Sequence, residues 1–442
     1  MGNPGERTLT VRGGGTATAV RLNVRDLRSG PIYTPRVFCY RETLDGEKLR
    51  ASLAAVLRHY PVVSGRLRKA PEGLEVDCND AGIRFTEVEA PGAVPEFGPD
   101  RRIGAALGGY LDRISPLHAT KPDTPLLTVR LTNLAGGGSV LGVALHHYLA
   151  DGAGLLRFLA HWSHEHRGLP FPEPHHEREL IDRLGDAAGP GAAAHSSEFT
   201  VVGRLRLARF VLHAALAGAR LDTVTLRFTA AELAALKAAA SAEGADGVPL
   251  SGNDALTAHL WRLFSELRDR PDQDGDHLGL IAGLGRLPGL GLPEQYWGNA
   301  VCHLTTTMTA AEARTAPLGA AATAVRAALG ADHAQRIRDE VAYLRTQRAA
   351  GRAGRVLPRA ALSSYDTEVL INNQSRFPYY EIDLGAGTPF WCEQPAAPVP
   401  YLVDVMPTPG ASGGRDVHLS LPRAHAAALG GAGWQQRVHA YA

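Results

Sequence analysis

The sequence predicts an α/β (α+β) protein built as two domains, and three observations predict it. At 442 residues the chain is longer than one hydrophobic core holds, since cores stop growing at about 250–300 residues. Strand-like and helix-like segments are mixed through both halves, which suggests two α/β units of similar size. Residues 185–197 are dominated by Gly, Ala, Pro and Ser without periodicity, a linker composition between those halves. The expected division is therefore residues 1–184, a connector over 185–220, and residues 221–442.

The elements follow in order. A first helix is expected over 45–60, where Leu49, Leu53, Val56 and Tyr60 recur at helical spacing and Pro61 stops the pattern. Short strands are expected over 73–78 and 82–88. A hairpin follows, with strands over 125–132 and 139–145 joined through Gly136-Gly-Gly. A helix then starts near Asp151, with Leu155, Phe158 or Leu159, and Trp162 on one face. In the second half, a strand over 223–228 leads into a helix over 230–240. The next helix, 253–267, carries Leu256, Leu260, Leu263 and Leu267 on its apolar side, and an Ala-rich helical region covers 318–348. The apolar stretch 210–217, flanked by Arg204, Arg206, Arg209 and Arg220, falls short of the ~20 residues that span a bilayer. It reads first as a connector lying against its own protein, with a membrane-surface helix as the alternative.

Composition removes several function classes. Forty-six Lys and Arg against forty-five Asp and Glu give a net charge of +1, which argues against a nucleic-acid binder that relies on a broad basic field. Cys39, Cys78, Cys302 and Cys392 lie far apart without a CxxC pair, so neither a zinc ribbon nor a disulfide scaffold is expected, and a reducing cytoplasm fits best. The start of the chain lacks the basic and apolar runs of a signal peptide, and Glu6 stands where a myristoylation signal needs Ser or Thr. No transmembrane segment is expected. His161, His164, His166, His175, His176 and Glu177 read as polar helix and loop ends rather than a metal site, and the expected metal content is none. Cys302 beside His303 reads as a packed thiol, because adjacent strand residues face opposite sides. The absence of a Gly-x-Ser-x-Gly elbow leaves a serine hydrolase unsupported.

The residues that carry chemistry are His146-His147-Tyr148-Leu149-Ala150-Asp151-Gly152. They stand where the apolar run 140–145 ends, and a strand end holds a side chain with little freedom. Imidazole, with an ordinary pKa of ~6.5, is largely neutral yet basic near neutral pH. A positioned base that deprotonates an attacking hydroxyl or amine is worth about 10²–10⁴-fold. For His146 and Asp151 the structural reading is preferred, with Asp151 as a helix N-cap; for His147 spacing leaves both readings open.

At this point the chain resembles the BAHD acyltransferase family of acyl-CoA-dependent O- and N-acyltransferases. The resemblance runs from Leu22 to beyond Gly414. It rests on Pro31-Ile-Tyr-Thr-Pro-Arg-Val-Phe-Cys-Tyr, His59-Tyr-Pro-Val-Val-Ser-Gly-Arg-Leu, Cys78-Asn-Asp-Ala-Gly-Ile-Arg-Phe, and the HxxxDG motif from His147 to Gly152. Further along it continues in Ser251-Gly-Asn-Asp-Ala-Leu-Thr-Ala-His-Leu-Trp-Arg, Gly285-Arg286, Leu292-Pro-Glu-Gln-Tyr-Trp-Gly-Asn-Ala-Val, and Asp383-Leu-Gly-Ala-Gly387 in place of DFGWG.

The resemblance implies two chloramphenicol-acetyltransferase-like domains, with a channel and the active site between them. It implies that His147 deprotonates the acceptor, while Asp151 and Gly152 shape the loop and Asp151 pairs with Arg286. Ser251, Asp383, Gly385 and Gly387 would support the CoA side. Where many plant members carry Thr/Ser-Ser-Trp, this chain has Asn372-Asn373-Gln374. An amide of Asn372 or Gln374 could serve the oxyanion, with ordinary loop bonding an equal alternative. The implied activity is acyl transfer from acyl-CoA, a co-substrate rather than a bound cofactor, to a small-molecule alcohol or amine by a monomer. Two alternatives are a free-standing condensation-type enzyme fed by a carrier protein, whose HHxxxDG signature also fits, and a non-catalytic binding protein of the same fold.

Overall fold

The computed structural model describes residues 5–71, 73–98, 108–115, 118–244, 247–363, 368–395 and 399–442. Two six-stranded mixed sheets organise it. The first runs Glu6–Val11, Ile83–Ala90, Leu127–Leu134, Ser139–His146, Tyr33–Tyr40 and Trp391–Glu393 in spatial order. Its pairs are antiparallel except Ile83–Ala90 with Leu127–Leu134. All eight residues of Ser139–His146 are buried, as an apolar run flanked by partners on both sides requires. The helices Gly46–Leu57 and Gly152–His166 pack on each other beside this sheet. Asp45 caps the first of them by accepting from the N–H groups of Glu47 and Lys48.

The second sheet runs Leu221–Phe228, Arg415–Pro422, Leu402–Pro407, Glu368–Asn373, Gly275–Gly283 and Val301–Thr309. Three helices, Ala230–Glu243, Gly252–Arg268 and Leu318–Gly330, pack together over it, and Trp261 and Phe264 sit in the core they share. The long helical region expected over 318–348 is two helices, Leu318–Gly330 and Ala334–Ala349. The break falls at 331–333, where the Asp332 carboxylate accepts from Ala334 N–H and the His333 ring bonds the Ala328 carbonyl. Side chains that serve backbone groups in this way compete with continuing the helix.

The halves are interlocked rather than strung on a free linker. Trp391–Glu393, from the C-terminal half, completes the first sheet, and Tyr379, Ile382 and Leu384 lie in the first core. Residues 185–220 are partly folded: Phe199–Val201 pairs with Val356–Pro358, and Arg204–Gly218 is a helix. Glu198 sits in a buried ionic cluster with Arg25, Glu340 and Arg336. The helix Arg204–Gly218 rests one face on the protein, with Leu207, Phe210, Ala214 and Ala217 partly buried, while none of its residues is fully buried. Among the described residues, no helix is long and apolar enough to cross a membrane.

Candidate active site

The strand Ser139–His146 delivers its two histidines differently. His146 N–H donates to the Leu126 carbonyl at 2.8 Å and His147 N–H to the Ile32 carbonyl at 2.8 Å, so both backbones are pinned. His146 turns into the core, where its Nδ1 accepts from Tyr148 N–H and the Tyr33 ring packs edge-on at 4.9 Å. Burial, helped by the neighbouring His147, pushes its pKa down to about 4 and makes it a neutral packing group. His147 is half-buried and faces the opposite half of the molecule.

Asn299 fixes the tautomer of His147. The Asn299 Nδ2 amide donates to Asp26 Oδ1 at 3.0 Å and to the His147 carbonyl at 2.8 Å, which orients Oδ1 toward the ring. His147 Nδ1 lies 3.1 Å from that oxygen, so Nδ1 carries the proton and Nε2 keeps its lone pair. Asp26 is itself held by Asn299 N–H at 3.2 Å and by an ion pair with Arg178 at 2.8 Å, both partners fully buried. Burial lowers the His147 pKa, and the nearby Arg36 charge pushes the same way, while Asp151 and the Asn299 bond oppose them. The net direction is down, toward a neutral base. Asn299 and Asp26 were not among the sequence candidates, since they lie 152 residues after and 121 before His147 in the chain (299 − 147 and 147 − 26). The sequence signal for Asn299 is the Tyr296-Trp-Gly-Asn stretch within the family pattern, and Asp26 has none.

Asp151 grips the same stretch. Its Oδ1 accepts from Gly154 N–H at 2.9 Å as an N-cap, and its Oδ2 accepts from Ala300 N–H at 3.0 Å. Trp297 Nε1–H donates to the Gly154 carbonyl at 2.8 Å. The loop 147–154 and the segment 297–300 are thus clasped from both ends. The expected ion pair between Asp151 and Arg286 does not form. Arg286 closes the short turn Leu284–Arg286 with its side chain exposed, and the Asp151 carboxylate is occupied by backbone N–H groups. The arginine that supports the site is Arg178, acting through Asp26.

Across from Gly152 lies a second polar group. A Cβ at Gly152 would stand 3.6 Å from both Arg36 Nη2 and Gln374 Oε1. Gln374 is buried, with Oε1 accepting from Arg36 at 3.3 Å and from Tyr379 hydroxyl at 2.5 Å. Its amide donates to Asp404 Oδ1 at 2.8 Å, and so does the amide of Asn372. Asn373, one residue along, turns the other way to Asn253. Asp404, held in the interior, accepts one bond from each of these amides, and each amide nitrogen carries a second N–H. The cationic group beside them is Arg36, 7% exposed, with no carboxylate in ion-pairing distance among the described residues. Its sequence signal is a charge inside an otherwise apolar strand, Tyr33–Tyr40.

Residues 16–430 match the family model described as the Transferase family. The chain belongs to this family, the BAHD acyltransferases. Among its relatives, shikimate O-hydroxycinnamoyltransferase of Nicotiana tabacum is 27% identical over 407 residues, covering 90% of this chain and 91% of that one. Rosmarinate synthase of Plectranthus scutellarioides is 28% identical, covering 86% and 85%, and tryptamine benzoyltransferase 1 of Oryza sativa subsp. japonica is 25% identical, covering 93% and 91%. Of solved structures, TRI101 of F. graminearum complexed with coenzyme A and deoxynivalenol superposes with a TM-score of 0.76 at 19% identity, covering 95% of this chain and 99% of that one. Vinorine synthase gives 0.66 at 18% identity, covering 95% of each chain. The protein is accordingly an acyltransferase of the two-domain, chloramphenicol-acetyltransferase-like fold. It uses an acyl-CoA thioester and a hydroxyl or amine acceptor.

The turn 383–387 stands away from His147. Asp383 caps its own turn, accepting from Gly385 N–H at 2.9 Å, while its carbonyl accepts from Ser163. Gly385 has φ +88°, and a Cβ there would meet the His166 ring at 2.7 Å, so glycine is required. Gly387 shares the left-handed conformation at φ +76°. This turn packs on the far end of Gly152–His166, about 20 Å from Asp151 by helix rise. Ser251 is the N-cap of Gly252–Arg268, in a capping box with Asp254.

Proposed function

We propose that His147 is the general base of this acyltransferase. Nε2 takes the proton from the acceptor hydroxyl or amine as that atom attacks the thioester carbonyl. The tetrahedral oxyanion collapses, the C–S bond breaks, and the imidazolium returns the proton to the departing CoA thiolate. The observation that carries this reading is the Nδ1–Asn299 contact at 3.1 Å, which leaves Nε2 as the free basic nitrogen. Asp151 and Gly152 hold the loop, while Arg178 and Asp26 hold Asn299. The donor would reach His147 through a channel between the 1–184 and 221–442 units, with 374–393 crossing back to the first. Ser251, Asp383, Gly385 and Gly387 then act by shaping the CoA side rather than by touching the reacting atoms.

The acceptor is read as a small aromatic or alicyclic alcohol or amine, in keeping with relatives named for shikimate and tryptamine. The enzyme is read as a cytoplasmic monomer that draws on acyl-CoA, not on a carrier protein. The test supplies hydroxycinnamoyl-, benzoyl- and acetyl-CoA with pooled alcohols and amines, and separately acyl-carrier proteins. Product ester or amide formed from CoA donors is the expected result. Turnover from carrier proteins alone, or ligand binding without turnover, would replace the reading.

A further inference from the structure

The helix Arg204–Gly218 is the part of the molecule that the acyltransferase site does not use. It is 15 residues long, none of them fully buried, and it rests on the protein through a partly buried face of Leu207, Phe210, Ala214 and Ala217. Leu205, Val211, Leu212 and Leu216 are 67%, 57%, 62% and 53% exposed, four of the six large exposed hydrophobics among the described residues. Leu205, Leu212 and Leu216 stand at i, i+7 and i+11, so at 100° per residue they fall within about 40° of one another on one outward stripe. Arg209 borders that stripe and Arg206 continues the same flank. Residues 203–220 contain four arginines and no acidic residue, in a chain whose overall net charge is only +1. Arg204, Arg206 and Arg209 form no ion pair among the described residues.

We propose that this helix is a docking surface for an anionic lipid bilayer. An apolar stripe with arginines along its flank is the arrangement that lets leucines enter the acyl boundary while guanidiniums reach phosphates. Charge decides among occupants. A second copy of the chain would set Arg204, Arg206 and Arg209 against the same three, a like-charge contact that opposes pairing. A neutral membrane would leave them unused. An anionic leaflet answers both the stripe and the charge, with each arginine near the surface strengthening binding about fivefold. Docking through this helix would hold the enzyme at the surface where amphipathic acyl thioesters and apolar acceptors partition. The docking itself does not depend on the identity of either substrate.

The full-length protein would be sedimented with vesicles of phosphatidylcholine alone and of phosphatidylcholine with phosphatidylserine. Binding is expected only to the anionic vesicles, weakening as salt is raised. Arg206→Gln with Arg209→Gln should weaken it roughly twenty-five-fold. Leu212→Ser with Leu216→Ser should abolish it, while both variants keep the acyl-transfer rate, since every changed side chain is exposed. No binding to anionic vesicles, or binding indifferent to these substitutions, overturns the proposal. So does a dimer in light scattering that dissociates when Leu212 and Leu216 are changed, because a second copy would then be the occupant. Absence of acyl transfer by the wild-type protein, with its vesicle binding intact, would count against the catalytic reading alone.

Discussion

His147 works through what surrounds it. Its ring is held by one side chain, Asn299, whose orientation is dictated by Asp26 and the His147 carbonyl. Asn299→Ala should therefore lower kcat by about 10²-fold, the lower end of what a positioned base supplies, with little change in KM for acyl-CoA. Steady-state kinetics with varied donor checks this. Arg36 acts through charge. It presses the His147 pKa down alongside burial, so Arg36→Met should move the acid limb of the kcat/KM profile to higher pH. A profile that stays in place would show that Arg36 is not felt at the ring. The sequence made His147 legible because a strand-end histidine in HxxxDG has a short-range pattern. Asp26 and Arg178 had none and Asn299 only its place in the Tyr296-Trp-Gly-Asn stretch, because their bonds to it and to each other span long separations. The shared partner of Asn372 and Gln374 was hidden for a related reason: nothing local reveals that Asp404, 30 residues on from Gln374, accepts from both amides.

At the scale of elements, the clasp between loop 147–154 and segment 297–300 joins the halves, and its ionic anchor is Arg178 with Asp26. Removing one partner of a fully buried pair costs about 3–5 kcal/mol, so Arg178→Ala should lower unfolding stability by that amount. Arg286→Ala should stay within about 0.5 kcal/mol, since its side chain is exposed and unpaired among the described residues. Urea unfolding of the two variants distinguishes this arrangement from an Asp151–Arg286 pair, which would reverse the order. Most elements were readable: the helix Gly46–Leu57 has its cap and its periodicity, and Ser139–His146 its unbroken apolar run. The break at 331–333 was not, because the helix-favouring composition runs over Gly330 and the side-chain bonds of Asp332 and His333 that hold the turn have no pattern of their own. The strand Trp391–Glu393 was also hidden, since three residues carry no period and its partner strand lies in the other half.

The whole molecule carries a pH signature separate from catalysis. His146, His161 and His259 are each pushed down to about 4 by burial, against an unfolded value of 6.5. Between these values the unfolded chain binds protons that the folded chain refuses, so stability rises with pH across that window. Calorimetry should find Tm falling steadily as pH drops from 6.5 toward 4, with little change just above 6.5 from these groups. The length first read as two domains has a functional meaning at this scale. His147 comes from one half and Asn299 from the other, so the proposed base is oriented only when the halves are clasped. The role of His147 is read out by free CoA thiol release from an acyl-CoA and its acceptor, compared between wild type and His147→Ala at equal, folded concentration. A loss of about 10²–10⁴-fold is expected in His147→Ala. Release that persists at the wild-type rate would contradict it.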